Sequence, residues 1–310
     1  MTLTDTRELV HEVMREAQAE LIAGFEAVER EGALHAGLAP GRFGAASWER
    51  PGGGGGSARV LTEGAVFERA GVNVSAVNGA EVPPSIYQEQ PATRGQAYFA
   101  TGVSMVLHPR NPYVPAFHAN LRYFEAGETR WFGGGMDLTP NYGFAEDARH
   151  FHSTLKDYVE RHAVVDYPTV KAWCDHYFYL PHRKEMRGIG GIFFDQLSPA
   201  SSDDFERVLA FVREGAATIR AAYLPLVRRR FATAYGERER QWQLYRRGRY
   251  VEFNLVYDRG TRFGLQTDGN SEAILMSLPP LARWEFQYTP EPGSPEAEMA
   301  RFLVPHDWAG

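Results

Sequence analysis

Apolar and polar residues alternate over Thr101–His108 and again over Phe117–Phe124, and the two runs flank a segment carrying Pro109, Pro112 and Pro115. The alternation predicts two strands and their connection, because successive side chains of a strand point to opposite faces. On the second run Phe117, Ala119, Leu121 and Tyr123 share one face, while His118, Asn120 and Arg122 share the other. Ser104 and His108 likewise share one face of the first run. An imidazole, a carboxamide and a guanidinium in a row do not suit an apolar core, and a plainly solvated face would favour Lys, Glu and Thr. They predict the floor of a polar pocket.

The remaining pattern sets helices around more strands. Leu9, Val13, Ala17, Leu21, Phe25 and Val28 fall at spacings of three and four, predicting a helix over 5–31 with Asp5 as its cap. Strands are predicted at 59–67, 71–78 and Trp131–Leu138, the last interrupted by Gly133–Gly135 as at a bulge or a close approach. Helices are predicted over 144–162, 168–180 and 202–234, with Pro225 kinking or dividing the last and Ser201 or Ser202 capping it. Further strands are predicted at 249–257, 262–267 and 281–288, the first two as a hairpin turning at Asp258-Arg259-Gly260, and Ser294-Pro295-Glu296 opens a final short helix. Blocks of helices and strands, without strict alternation, predict an α+β fold with a large, mostly antiparallel sheet flanked by helices, as a single domain over 1–310.

Composition narrows the class. At 310 residues and 44% hydrophobic content the chain can bury a large core. No apolar run reaches the roughly 18 residues of a membrane span, and the N-terminus carries no signal-like apolar block. One cysteine, Cys174, excludes an intrachain disulfide and fits a reducing compartment, so a cytoplasmic setting is expected. A net charge of −6 argues against nucleic-acid binding. Of the 33 basic residues only Lys156, Lys171 and Lys184 are lysine, and the arginines that make up the rest pair bidentately with carboxylates. The run Gly52–Gly56 lies in a Gly/Pro-rich stretch, Pro40 to Ser57. No Gly-Lys-Ser/Thr follows it and no strand precedes it, so a surface loop or lid is expected rather than a phosphate loop.

Four long motifs, HPRNPYVPAFHANLRYF (108–124), WFGGGMDLTPNYGF (131–144), HRKEMRGIGGIFFD (182–195) and YGERERQWQLYRRGRYVEFNLVYDRGTRFGLQT (235–267), resemble the oxygen-dependent coproporphyrinogen III oxidase family, over about Asp5 to Trp308. The resemblance implies oxidative decarboxylation of two propionates of coproporphyrinogen III to vinyls with O2 as co-substrate, giving protoporphyrinogen IX in haem biosynthesis. It implies no organic cofactor, and a homodimer whose interface includes residues 250–285. Alternative readings are a metal-dependent form of the same reaction, with Mn or Fe, and a non-catalytic tetrapyrrole-binding protein.

The same resemblance assigns roles. His118 and Asp137 are expected to be catalytic, and Ser104, Asn120, Leu121, Arg122, Asp268, Gly269 and Asn270 to bind substrate. His108, His118, His152 and His182 match family positions given to catalysis or a metal. Spacing alone does not support the metal: no HExxH is present, and His150 and His152 on a predicted helix point about 200° apart. From the residues themselves, His118 beside Asn120 and Arg122 reads as a proton-transfer group near a bound anion, or as a neutral histidine satisfied by a backbone carbonyl. Asp137 reads locally as a turn cap before Pro140; the family role is a carboxylate accepting pyrrole N–H bonds. Many bacterial family members carry Gly-Gly-Arg where this chain has Asp268-Gly269-Asn270, so the substrate-binding arginine is absent there and Arg262 is a candidate to replace it.

Overall fold

The Thr101–His108 and Phe117–Phe124 runs lie at the centre of a seven-stranded sheet. The computed structural model describes residues 3–50, 53–266 and 269–310. In chain order, α1 is Leu3–Ala36, β1 Gly44–Glu49, β2 Gly54–Thr62, β3 Phe67–Gly79 and α2 Pro84–Tyr87. Then follow β4 Tyr98–Pro109, β5 Ala116–Ala126, β6 Thr129–Thr139, α3 Ala145–His162 and α4 Tyr167–Tyr177. A small hairpin, β7 Tyr179–Leu180 with β8 Glu185–Met186, leads to β9 Gly191–Leu197. The helices α5 Ser202–Arg230, α6 Glu237–Val256, α7 Arg259–Gln266, α8 Ser271–Leu275 and α9 Pro295–Glu298 complete the chain. The large sheet has the order β1-β2-β3-β4-β5-β6-β9, every neighbouring pair antiparallel, so the fold is α+β.

The two faces of the sheet differ in chemistry because the strands alternate. One face carries Val72, Val74, Val103, Met105, Phe117, Leu121, Phe132, Met136, Ile192 and Phe194. Helix α1 packs Val10, Met14, Leu21 and Phe25 onto it, with α5 alongside. Each large apolar side chain removed from water there contributes roughly 1.5–3 kcal/mol. That core fixes the register, since a slip of one residue would turn Phe117 and Leu121 outward and His118 inward. The opposite face carries the polar set.

Several expectations hold and others change. Helix α1 starts before Asp5, which sits in its first turn as an acidic residue rather than as the cap. Ser201 caps α5, its hydroxyl accepting from Asp204 N at 3.2 Å. Pro225 neither divides nor ends α5, because buried Tyr223, Leu224, Leu226 and Val227 anchor the chain on both sides of it. Ser294 caps α9 as expected. Part of the glycine-rich stretch is strand rather than loop: Gly55 and Gly56 lie within β2 and pair with Glu49 and Trp48, and a Cβ on Gly56 would sit 2.2 Å from the Trp48 ring. Pro51 and Gly52 lie outside the described residues.

The largest correction is at 249–266, Thr267 lying outside the described residues. The expected hairpin is two helices, α6 and α7, and 281–288 has no regular structure. Aromatic and β-branched residues there suggested strands, yet Trp242, Arg246, Tyr250 and Phe253 recur every three or four residues and bury one helical face. Asp258, the expected turn residue, accepts from Thr261 N at 2.7 Å and caps α7. Strand β9 was not expected; it closes the sheet beside β6 and brings GIFFD to the polar face.

Candidate active site

Register places the polar residues in rows across the sheet. Asn73, Ser104, Asn120, Gly135 and Phe193 form one row on β3, β4, β5, β6 and β9. The next row on one side holds Gly71, Val106, His118, Asp137 and Gly191, and on the other side Gly102, Arg122 and Gly133 lie beside Asp195. Ser104 is exposed, and His118, Asn120 and Arg122 are partly so. Gly102, Gly133 and Gly135 keep the floor low: a Cβ at Gly135 would stand 3.0 Å from Ile192 O and from the Phe193 ring.

A continuous polar chain crosses this floor. Arg187 Nη2 donates to Asp137 Oδ2 at 2.5 Å, and His118 Nδ1 lies 2.6 Å from Asp137 Oδ1. Asn120 Nδ2 lies 3.4 Å from His118 Nε2, and Asn120 Oδ1 accepts from Arg122 Nη1 at 3.3 Å. Arg122 Nη2 then reaches Asp195 Oδ2 at 2.8 Å. Asp137 is only 2% exposed and both its oxygens are engaged, whereas the His118 side chain is 15% exposed and fronts the cleft. Burial pushes the Asp137 carboxyl up, but the Arg187 charge and the His118 bond outweigh it and hold the group below the usual range.

Walls rise on two sides. On one, Phe178 of the α4 end, Phe193 and Phe253 of α6 form an apolar cluster with Cys174 and Leu180. Tyr177 stacks on Phe193 with centroids 4.4 Å apart, and the Arg122 guanidinium lies 5.7 Å above the Phe193 ring. On the other, α8 and the residues after it close over β3 and β4: Asn73 Nδ2 donates to Ala273 O at 2.7 Å and Arg69 Nη1 to Leu278 O at 3.2 Å. Tyr177 OH, 3.0 Å from Asp258 Oδ1, ties the first wall to the start of α7.

The structure gathers Ser104, His118, Asn120, Arg122 and Asp137 on one surface. Leu121 does not join them; its side chain points into the core, where a Cβ on Gly215 of α5 would touch its Cδ1 at 2.7 Å. Gly269 and Asn270 sit at the start of α8. Asn270 Oδ1 accepts from Glu272 N and Ala273 N, both at 3.1 Å, so this side chain serves as the helix cap. Asp268 lies outside the described residues. Arg262 is exposed on α7. Sequence reasoning overlooked Arg187, Asn254 and Asp195. For two of them a signal was present: an arginine directly before the apolar run Gly188–Phe194, and the acid, Asp195, that ends IFFD.

The histidines assigned to a metal do not form one centre. His152 is buried on α3, with Nδ1 3.0 Å from Tyr167 OH and Nε2 3.0 Å from Ile189 O. His182 bridges Tyr257 OH at 2.8 Å and Glu252 Oε2 at 2.7 Å near the β7–β8 turn. His108 contacts Ser277 O at 2.9 Å and meets the Tyr250 ring edge-on. His108 Nδ1 is buried without a hydrogen-bond partner, but each of the four rings is held by a different set of neighbours, and among the described residues no three His, Cys, Asp or Glu side chains are placed to hold a metal ion.

The sheet face thus sets an arginine beside a partly exposed histidine–aspartate pair. The family model described as coproporphyrinogen III oxidase matches residues 9–308, and the chain belongs to that family. It is also 49% identical to the oxygen-dependent coproporphyrinogen-III oxidase of Synechococcus sp. (strain CC9902), over 99% of this chain and 89% of that protein.

Proposed function

We propose that this cleft binds coproporphyrinogen III and converts two of its propionates to vinyls with O2, giving protoporphyrinogen IX. Family membership carries the reaction, and the polar chain from Arg187 to Asp195 supports the assignment of roles. Each propionate carboxylate leaves as CO2 together with two electrons and one proton as its side chain becomes a vinyl. Reduction of O2 to hydrogen peroxide takes the two electrons and two protons, so each step draws one further proton from solvent. The chain must therefore move protons and hold carboxylates. Arg122 offers a guanidinium fork to a propionate, with Ser104 and Asn120 donating hydrogen bonds beside it. His118 Nε2 faces the cleft and can take the proton of a pyrrole N–H, making the ring electron-rich enough to be oxidised, then return it to the ring nitrogen as CO2 leaves. Asp137 stabilises the imidazolium that this forms.

The homodimer belongs to the same proposal. Leu255, Val256, Leu265, Leu281, Trp284 and Phe286 are all exposed, Phe286 by 90%, within or next to 250–285. Such a set suits burial against a second copy. Among the described residues no helix is long and apolar enough to cross a membrane, and the lone buried thiol fits a reducing, cytoplasmic setting.

The deciding experiment is turnover of coproporphyrinogen III by purified, chelator-treated protein, with products read as porphyrin fluorescence after oxidation. Protoporphyrin formed in air and not under strict anaerobiosis is the expected result. Substrate binding without product in either atmosphere would leave a tetrapyrrole-binding protein.

A further inference from the structure

Arg187 is 2% exposed, yet it carries a charge into the wall of the cleft. Its guanidinium lies 4.2 Å from the Phe178 ring centroid, 4.4 Å from Tyr250 and 4.8 Å from Phe253, and Nη1 donates to Asn254 Oδ1 at 2.9 Å. Three rings and an amide hold it rigidly, with Nη2 aimed at Asp137. A buried arginine is donor-only and stays charged, so Asp137 beside it stays a carboxylate and can only accept.

That polarity propagates. An accepting Asp137 requires the His118 proton to sit on Nδ1, leaving the lone pair of the neutral ring on Nε2. From the other end, Arg122 can only donate to Asn120 Oδ1, which turns the Asn120 NH2 toward His118 Nε2. Both ends of the chain demand the same tautomer. The neutral ring presents a proton acceptor to the cleft, at the atom a pyrrole N–H would meet.

We infer that Arg187 is a positioning residue for this reaction, holding Asp137 as the acceptor that keeps the His118 proton on Nδ1 and leaves the Nε2 lone pair, met only by the long 3.4 Å contact from Asn120, as the base. Asp137 then acts through His118 and does not itself receive the pyrrole proton. The inference rests on the reading of His118 given above, and the two fail differently.

The test uses the full chain with nitrogen-labelled histidine. In the wild type, the His118 ring should show its proton on Nδ1. In Arg187→Met, which keeps bulk and removes charge, the tautomer balance should move toward Nε2–H. Turnover should drop at least about tenfold while anaerobic substrate affinity changes less than about threefold. The acid limb of the pH–rate profile should also move to higher pH, and Arg187→Lys should restore its position. Should Arg187→Met fail to fold, Asp137→Asn/Arg187→Met removes both buried charges together and relieves the unpaired ion. Its activity should equal that of Asp137→Asn alone, and a further tenfold loss would overturn the inference, as would an unchanged tautomer and pH profile in Arg187→Met. Normal turnover in His118→Ala would instead remove the reading beneath it.

Discussion

Arg122 Nη2 lies 2.8 Å from Asp195 Oδ2, and the space between their strands exists because residue 133 is glycine. A Cβ there would stand 2.6 Å from Asp195 Oδ1 and 2.7 Å from Arg122 Nε. Without substrate the guanidinium is thus balanced by a carboxylate and braced over Phe193. A propionate must compete with Asp195 for the same fork.

Gly133→Ala should therefore push Arg122 and Asp195 apart without disturbing the core face. The expected outcome is a KM raised roughly tenfold, about 1.4 kcal/mol of lost binding, with kcat close to wild type. Steady-state oxygen uptake against substrate concentration measures both. An equal fall in kcat would show that the change had reached His118.

His118→Ala should behave in the opposite sense. Loss of a positioned acid–base group costs on the order of 10²–10⁴ in rate. Anaerobic titration with coproporphyrinogen III should show affinity within a few-fold of wild type, since the carboxylate contacts stay in place. Near-normal turnover would exclude His118 from the chemistry.

Asn270→Arg restores the family residue but removes a helix cap. Losing the two bonds from Asn270 Oδ1 to Glu272 N and Ala273 N should cost about 1 kcal/mol of stability. Substrate should nevertheless bind at least twofold more tightly, because a cation is added at the rim of a site for a tetra-acid. A lower melting temperature with unchanged affinity would leave position 270 as a cap and nothing more.

Two buried histidines predict the acid behaviour of the fold. Burial, with the Arg247 charge adding to it, lowers His108 to about 3, and burial, with Lys171 adding to it, lowers His152 to about 3. Both are neutral in the folded chain and titrate near 6.5 when unfolded. The unfolded state thus binds more protons below that pH, and the stability the two provide is full above about 6.5 and lost as pH falls toward 3. Denaturant unfolding at pH 7, 6 and 5 should show stability falling by up to roughly 2.7 kcal/mol per pH unit toward the lower end. A flat profile between pH 6 and 5 would contradict this assignment.

Much of the floor was legible in the chain because a strand displays its period in two residues. His118, Asn120 and Arg122 announce a shared face by spacing alone. What spacing could not supply was register between strands: that Asp137 falls opposite His118, or that Arg187 reaches Asp137 across fifty residues, follows from three-dimensional pairing. The segment 249–266 misled for a different reason. Tyr250, Val251, Phe253 and Val256 favour strands by local preference, and the burial of Tyr250 and Phe253 against Arg187 and Phe178 overrides that preference. Asn270 shows a third limit, since a residue aligned with a ligand-binding position can be committed to its own helix.

The covering wall hangs from the sheet by main-chain links. Asn73 bonds Ala273 O, Arg69 bonds Leu278 O, and His108 contacts Ser277 O. The sheet grips carbonyl oxygens, which every amino acid carries, while among the side chains above them Met276 must keep its fit against Gly71. The wall can therefore exchange other residues while staying seated, so substrate preference can drift on this surface while the proton-handling machinery below stays constant. Selection experiments for a differently substituted tetrapyrrole would find their productive changes there.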